Sequence, residues 1–316
     1  ASKSRGLGDV YKRQIQMLTV VTKSPSGQNY DSNSADASDN ITLLALIQRW
    51  PLSTRNSLFE RAMYQADRLH AFAAESDSLA VVTSSEELKQ VLKSREDGSK
   101  LIAGLLGTEG SHALDGDLDN IRRLYDAGFR MMSLQHFFDN KLGGSLHGES
   151  NAGLTEFGRE AVRLMDSMGI MIDVSHSSPQ VVDDVLNLID SPLIVSHTGF
   201  KGHCDRKRNI SDDLIMRIAE RGGLMGVGFW SEAVCGTDVT AIADAIAYGV
   251  ETFGVEAVAL GSDWDGAVTT PIAANDLAYL TSALLKRGLS EDNIRAVMGG
   301  NTCLLYTSDA ADDWFC

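Results

Sequence analysis

Short apolar runs recur along this 316-residue chain at the spacing of strand–helix units, and that rhythm limits the fold more than any other feature. The runs are Met17–Thr22 (MLTVVT), Leu101–Leu106 (LIAGLL), Met131–Leu134 (MMSL), Ile170–Val174 (IMIDV), Pro192–Val195 (PLIV), Leu224–Phe229 (LMGVGF) and Ala257–Leu260 (AVAL). Continuous rather than alternating apolar character predicts strands covered on both faces. Between them lie helical patterns at Leu118–Ala127, Thr155–Met168, Asp212–Arg221 and Val239–Phe253, and a longer helical insertion, Asn40–Ala74, follows the first run. Helices run into glycine at Gly128, Gly169, Gly222 and Gly254, where a left-handed residue lets the chain turn back. Repeated strand–helix units predict a parallel sheet with right-handed crossovers. Seven strands are one short of a closed barrel, so the expected fold is an α/β, TIM-type (β/α)8 barrel lacking its first strand. A doubly wound open sheet is the rival, but no GxGxxG follows the first run, which leaves a dinucleotide site unsupported.

What favours the barrel is where the polar residues fall. Glu109 closes the second run, His136 the third, His176 the fourth, His197 the fifth and Asp263 the seventh. In a closed parallel barrel the C-terminal strand ends converge on one face, where active sites are built. A single histidine there is most simply a structural one; five histidines or carboxylates at the same phase of five strands are not. Two imidazoles and a carboxylate suit a borderline divalent ion such as Zn²⁺. An aspartate beside it can take a proton from water, and the chemistry implied is hydrolysis of an amide or ester, or deamination.

Composition removes other classes. Lys+Arg 28 against Asp+Glu 43 gives a net charge of −15, which repels phosphate backbones and anionic lipid, so nucleic acid and membrane surfaces are not expected partners. No apolar run reaches the roughly 18 residues needed to cross a bilayer. Four cysteines without CxxC spacing exclude a zinc ribbon and a dense disulfide framework. The two ends, RGLGDVYKRQ (Arg5 to Gln14) and LLYTSDAADD (Leu304 to Asp313), share no pattern with the rest and read as translated adaptor sequence. The expected organisation is therefore an N-terminally truncated barrel domain over 15–302 between non-native tails at 1–14 and 303–316. Cellular location is left open.

The stretches GTEGSHAL, DVSHSS, SHTGFKGHCDRKRNISDD, GVGFW, ALGSDWDGAVTTP and MGGNT, in that order, resemble the membrane (renal-type) dipeptidase family, binuclear zinc peptidases on an amidohydrolase-like barrel. The resemblance extends from about Met17 to Thr302. It implies that Glu109 bridges the metals, that His176 and His197 complete one zinc site, and that Asp263 holds the attacking water and shuttles its proton. It also implies that His136 contacts the substrate near the scissile amide and that Arg208 grips the free carboxylate of a small dipeptide. A guanidinium fork reads a planar carboxylate with two parallel hydrogen bonds.

The family's second zinc is normally held by a His-x-Asp pair on the first strand, and no histidine precedes His70, which lies in a helical stretch. Loss of the first βα unit accounts for both the missing pair and the missing strand. The chain is then expected to bind at most one zinc tightly and to have little or no activity. Family members tend to dimerise, so a homodimer is an open expectation. Two alternatives stand beside the dipeptidase: another amidohydrolase-type hydrolase such as a lactonase or deaminase, and a non-catalytic barrel scaffold.

Other residues carry blander expectations. His112 shapes the loop after Glu109. His147, in the Gly-rich GGSLHGESNAG, reads as a solvated loop histidine. His203 has no second pair to make a zinc knuckle. Cys204 and Cys235 either pair or stay as thiols, and Asp265 either orients a ligand or caps a turn. Asp31–Asp39 is an acidic solvated loop, and Met131, Met132, Met165, Met168 and Met171 are core filler.

Overall fold

The computed structural model of the chain describes residues 15–264 and 267–308. It divides into two compact units, Ile15–Ser191 and the C-terminal remainder from Pro192.

The N-terminal unit carries five parallel strands: β1 (Ile15–Val20), β2 (Leu79–Val81), β3 (Ile102–Thr108), β4 (Phe129–Ser133) and β5 (Met171–Asp173). β3 pairs with β1 through Ile15↔Ala103 to Val20↔Thr108, with β2 at Leu79↔Ile102, and with β4 at Thr108↔Met132; β4 pairs with β5 at Met131↔Met171. The helices are α1 (Asn40–Ile47), α2 (Leu58–Ala74), α3 (Ser85–Glu96), α4 (Asp119–Asp126), α5 (Glu156–Ser167) and α6 (Pro179–Leu188). Local chemistry sets their starts. Ser57, Ser84, Thr155 and Ser178 each accept a backbone N–H in the first turn, and Pro179 adds its fixed φ at the head of α6. Ile121 and Leu124 of α4 and Val162 and Met165 of α5 are fully buried, as are Leu105, Leu106, Met131 and Met132 of the strands. Removing any of these leucines would cost about 2–5 kcal/mol.

The C-terminal unit repeats the scheme with β6 (Ile194–Thr198), β7 (Leu224–Val227) and β8 (Val258–Leu260), parallel, paired Ile194↔Leu224 and Met225↔Val258. Its helices are α7 (Asp212–Ala219), α8 (Ser231–Val234), α9 (Val239–Phe253), α10 (Leu277–Lys286), α11 (Glu291–Arg295) and α12 (Asn301–Ser308). β6 and β7 approach so closely that a Cβ on Gly226 would sit 2.1 Å from the Ser196 carbonyl oxygen.

All seven apolar runs form strands, with ends within a few residues of those read from sequence. An eighth strand, β2, went unread because three half-buried residues make too short a run, so the expectation of a chain one strand short of eight is overturned. The four glycines after helices all take positive φ. Met131, Met132, Met165 and Met171 are buried and Met168 half-buried, as core filler should be. Among the described residues no helix is long and apolar enough to cross a membrane.

Two further expectations need correction. His147 is not solvated; it has no exposed surface. The acidic run is not merely a solvated loop: Asp39 caps α1 and pairs with the buried Arg61, and Asn33 is buried against His147. Sequence signals for loops were overridden in both places by tertiary partners more than 20 residues away.

Candidate metal centre

Glu109 lies one residue past β3, where its N–H donates to the Val20 carbonyl (3.0 Å) and so extends the β1–β3 ladder. His136 follows β4. There the Leu134 carbonyl accepts from Asn140 Nδ2 (2.7 Å) and from the Ser111 N–H (3.2 Å), fixing the turn that carries the ring. His176 follows β5 in a tight turn: Ser175 N–H donates to Asp173 Oδ1 (2.9 Å), and Ser177 N–H to the Val174 carbonyl (3.1 Å). That turn puts His176 at φ 64°, a left-handed conformation costly for a residue with a Cβ.

These three strand ends bring one oxygen and two nitrogens together. Glu109 Oε1 is 3.3 Å from His176 Nε2 and 3.5 Å from His136 Nε2, and the ligand atoms of all three lie within 4.8 Å of one another. Ligands at about 2.0–2.1 Å around a tetrahedral ion stand about 3.3–3.4 Å apart, so both contacts have the length of a tetrahedron's edge. The donor set, a carboxylate and two imidazoles, is the one that suits a borderline divalent ion. All three residues are under 8% exposed. The rings form an aromatic nest: His136 and His176 meet edge-to-face at 4.9 Å, and Phe137 lies 4.9 Å from each of them and from His147.

His112, in the turn after Glu109, packs on Phe138 at 4.9 Å, and neither ring nitrogen has a hydrogen-bond partner among the described residues. Burial, with the nearby His136 adding to it, pushes its imidazole down to about 3, so it stays neutral. This fits a packing role in the loop.

In the C-terminal unit His197 lies on β6, with Ser196 Oγ 2.9 Å from its Nδ1. A ring nitrogen of His197 and a carboxylate oxygen of Asp263 lie within 4.8 Å, and Asp263, beyond β8, is also left-handed at φ 58°. Arg208 is buried, donates from Nη2 to the His197 carbonyl (2.7 Å) and lies 5.4 Å from the centre of the Trp230 ring. The neighbouring Asn209 amide donates to the carbonyls of Cys204 (2.8 Å) and Ala233 (3.0 Å), and Cys204 and Cys235 form a disulfide. Of the two alternatives for that pair, the structure has the bond. His203 packs against Tyr248 at 5.5 Å. Asp265 lies outside the described residues.

Residues 29–308 match the sequence pattern of the membrane dipeptidase family, peptidase family M19. The chain belongs to that family. Human Dipeptidase 3 is 30% identical over 257 residues, covering 78% of this chain and 51% of the human protein; the chain thus spans about half the length of that curated relative. Among solved structures, an amidohydrolase from Pseudomonas aeruginosa superposes with a TM-score of 0.75 at 20% identity, over 98% of this chain and 93% of the other. A metallo peptidase from Rhodobacter sphaeroides, liganded with a phosphinate mimic of the dipeptide L-Ala-D-Ala, does so with a TM-score of 0.73 at 21% identity, over 96% and 88%. At such identities the likeness speaks for the fold alone, the α/β, TIM-type barrel read from the alternating runs.

Sequence reasoning named Glu109, His136 and His176, which the structure brings together. It passed over Ser145, Asp139 and Asn33, whose hydroxyl, carboxylate and amide hold the loop behind two of those rings. Nothing in a serine or aspartate inside a Gly-rich loop marks such a role.

Proposed function

We propose that the chain carries out metal-dependent hydrolysis of the amide bond of dipeptides, with zinc as the ion. The observation that carries this reading is Glu109 Oε1 placed 3.3 and 3.5 Å from two imidazole nitrogens in a buried nest. Glu109 and His176 would hold the ion, and the family pattern gives His197 the same role. The chemistry such an ion supplies is Lewis acidity, which makes hydroxide available near neutral pH.

The remaining steps belong to the protein's own groups. Asp263 takes the proton of the attacking water and passes it to the leaving amine. His136 contacts the substrate beside the scissile amide. Arg208 receives the free C-terminal carboxylate, which makes a dipeptide the natural length. The phosphinate mimic of L-Ala-D-Ala held by the Rhodobacter relative supports short dipeptides, including those that end in a D-residue. We expect a single tight zinc at this site.

Zinc titration against a chromophoric chelator tests the metal: one tight site is expected, and none would overturn the reading. Assaying an L,L-dipeptide, an L,D-dipeptide and a lactone side by side tests the reaction. Turnover confined to dipeptides is expected, and faster lactone hydrolysis would overturn it.

A further inference from the structure

Behind the His136 and His176 rings lies the Gly-rich loop Leu142–Gly148, and its centre is Ser145, which has no exposed surface. The Ser145 hydroxyl oxygen lies 2.5 Å from the His136 carbonyl oxygen and 3.2 Å from that of His176. A hydroxyl has one proton, so it serves one carbonyl at a time, and the distances favour His136. The His176 carbonyl also accepts from the Leu146 N–H (2.7 Å), so the backbone at each histidine is tied to adjacent residues of one loop.

The loop is itself anchored. Asp139 accepts three N–H groups, one from Ser145 within it (2.7 Å) and two from Glu149 (3.0 Å) and Ser150 (2.8 Å) just beyond it. His147 Nδ1 is 2.9 Å from the Tyr30 carbonyl, and Asn33 donates from its backbone N–H (2.8 Å) and its side chain (3.0 Å) to the His147 carbonyl. Glycine is required here, because a Cβ on Gly144 would stand 2.4 Å from the Ala152 carbonyl and one on Gly148 1.9 Å from Asp139 Oδ1.

We propose that Ser145 is a positioning residue for the metal centre, its hydroxyl fixing the backbone behind His136 and His176 so that both Nε2 atoms meet Glu109 at ligand distance. This rests on the reading that Glu109 and His176 hold a metal ion, with His136 beside it. Groups that orient ligands from behind typically change metal affinity 10- to 100-fold when removed. The loss of zinc passes through His176, the ligand, whose carbonyl gives up one of its two bonds, while His136, beside the substrate, gives up the shorter one.

The test is zinc affinity by chelator competition, together with urea unfolding of the metal-free protein. Ser145→Ala is expected to weaken zinc binding at least tenfold, with the urea midpoint of the metal-free protein little changed. An unchanged affinity in Ser145→Ala, with tight binding by the parent, overturns this proposal and leaves the metal reading standing. No tight binding by the parent overturns both. Should Ser145→Ala fail to fold, Asp139→Ala, which frees the loop from a half-buried position, must give a comparable loss of zinc affinity, and an undiminished affinity there overturns the proposal equally.

Discussion

The candidate residues of the two units are held in place by different means. In the N-terminal unit Glu109, His136 and His176 are positioned by many small contacts: a ladder hydrogen bond, a serine hydroxyl, an aspartate accepting three loop N–H groups, and aromatic edges. In the C-terminal unit the segment that carries Arg208 is closed by one covalent bond, Cys204–Cys235, with the Asn209 amide beside it. Distributed support of the first kind adjusts by degrees, since each contact contributes about 1 kcal/mol. A single covalent closure is present or absent, and it answers to the redox state of the surroundings.

The largest effect should come from the covalent side. The disulfide closes a loop with a sequence separation of 31, worth about 4 kcal/mol by chain entropy. Replacing both cysteines by serine is expected to lower stability in urea by about that amount; a loss below about 1 kcal/mol would erase the contrast. Next, Glu109→Gln should weaken zinc binding at least a hundredfold, about 3 kcal/mol, because it removes the charged donor common to both imidazole contacts. Isothermal titration of zinc into that variant reads it, and a loss under tenfold would take Glu109 out of the centre.

A smaller effect concerns acid. His112 is held near 3 in the folded protein against about 6.5 when unfolded, so between those values the unfolded chain binds a proton that the folded chain refuses. Stability therefore falls as pH drops below about 6.5, by about 2 kcal/mol at pH 5. Urea melts of the metal-free protein at pH 7 and pH 5 should show His112→Phe losing that much less than the parent. Smallest of all, Thr19 Oγ1 stands 3.4 Å from Glu109 Oε2, a long bond, and Thr19→Val should change zinc affinity less than threefold. A tenfold change would mean that the carboxylate depends on this one partner rather than on the spread of contacts.

The legibility of this chain follows from which forces are local. Strands covered on both faces leave continuous apolar runs, so β1 and β3 to β8 could be read, while β2 could not. Glu109, His136 and His176 were legible because strand ends in a parallel sheet share a phase. The burial of His147 was not, since Tyr30 and Asn33, which seal it, are more than 110 residues away. The cysteine pairing was undecidable for a similar reason: it depends on how the Arg206–Ile210 segment folds back beside Ala233, which Asn209 reports only in three dimensions.

His176 and Asp263 both occupy left-handed backbone, at φ 64° and 58°. Any mutational library at either position therefore measures two quantities together, the chemistry of the side chain and the relief of a backbone penalty of about 1 kcal/mol or more. Glycine and asparagine will score as deceptively benign there, and β-branched residues as deceptively harsh. A ranking of such variants by expression yield alone would sort them by torsional ease and miss the chemistry.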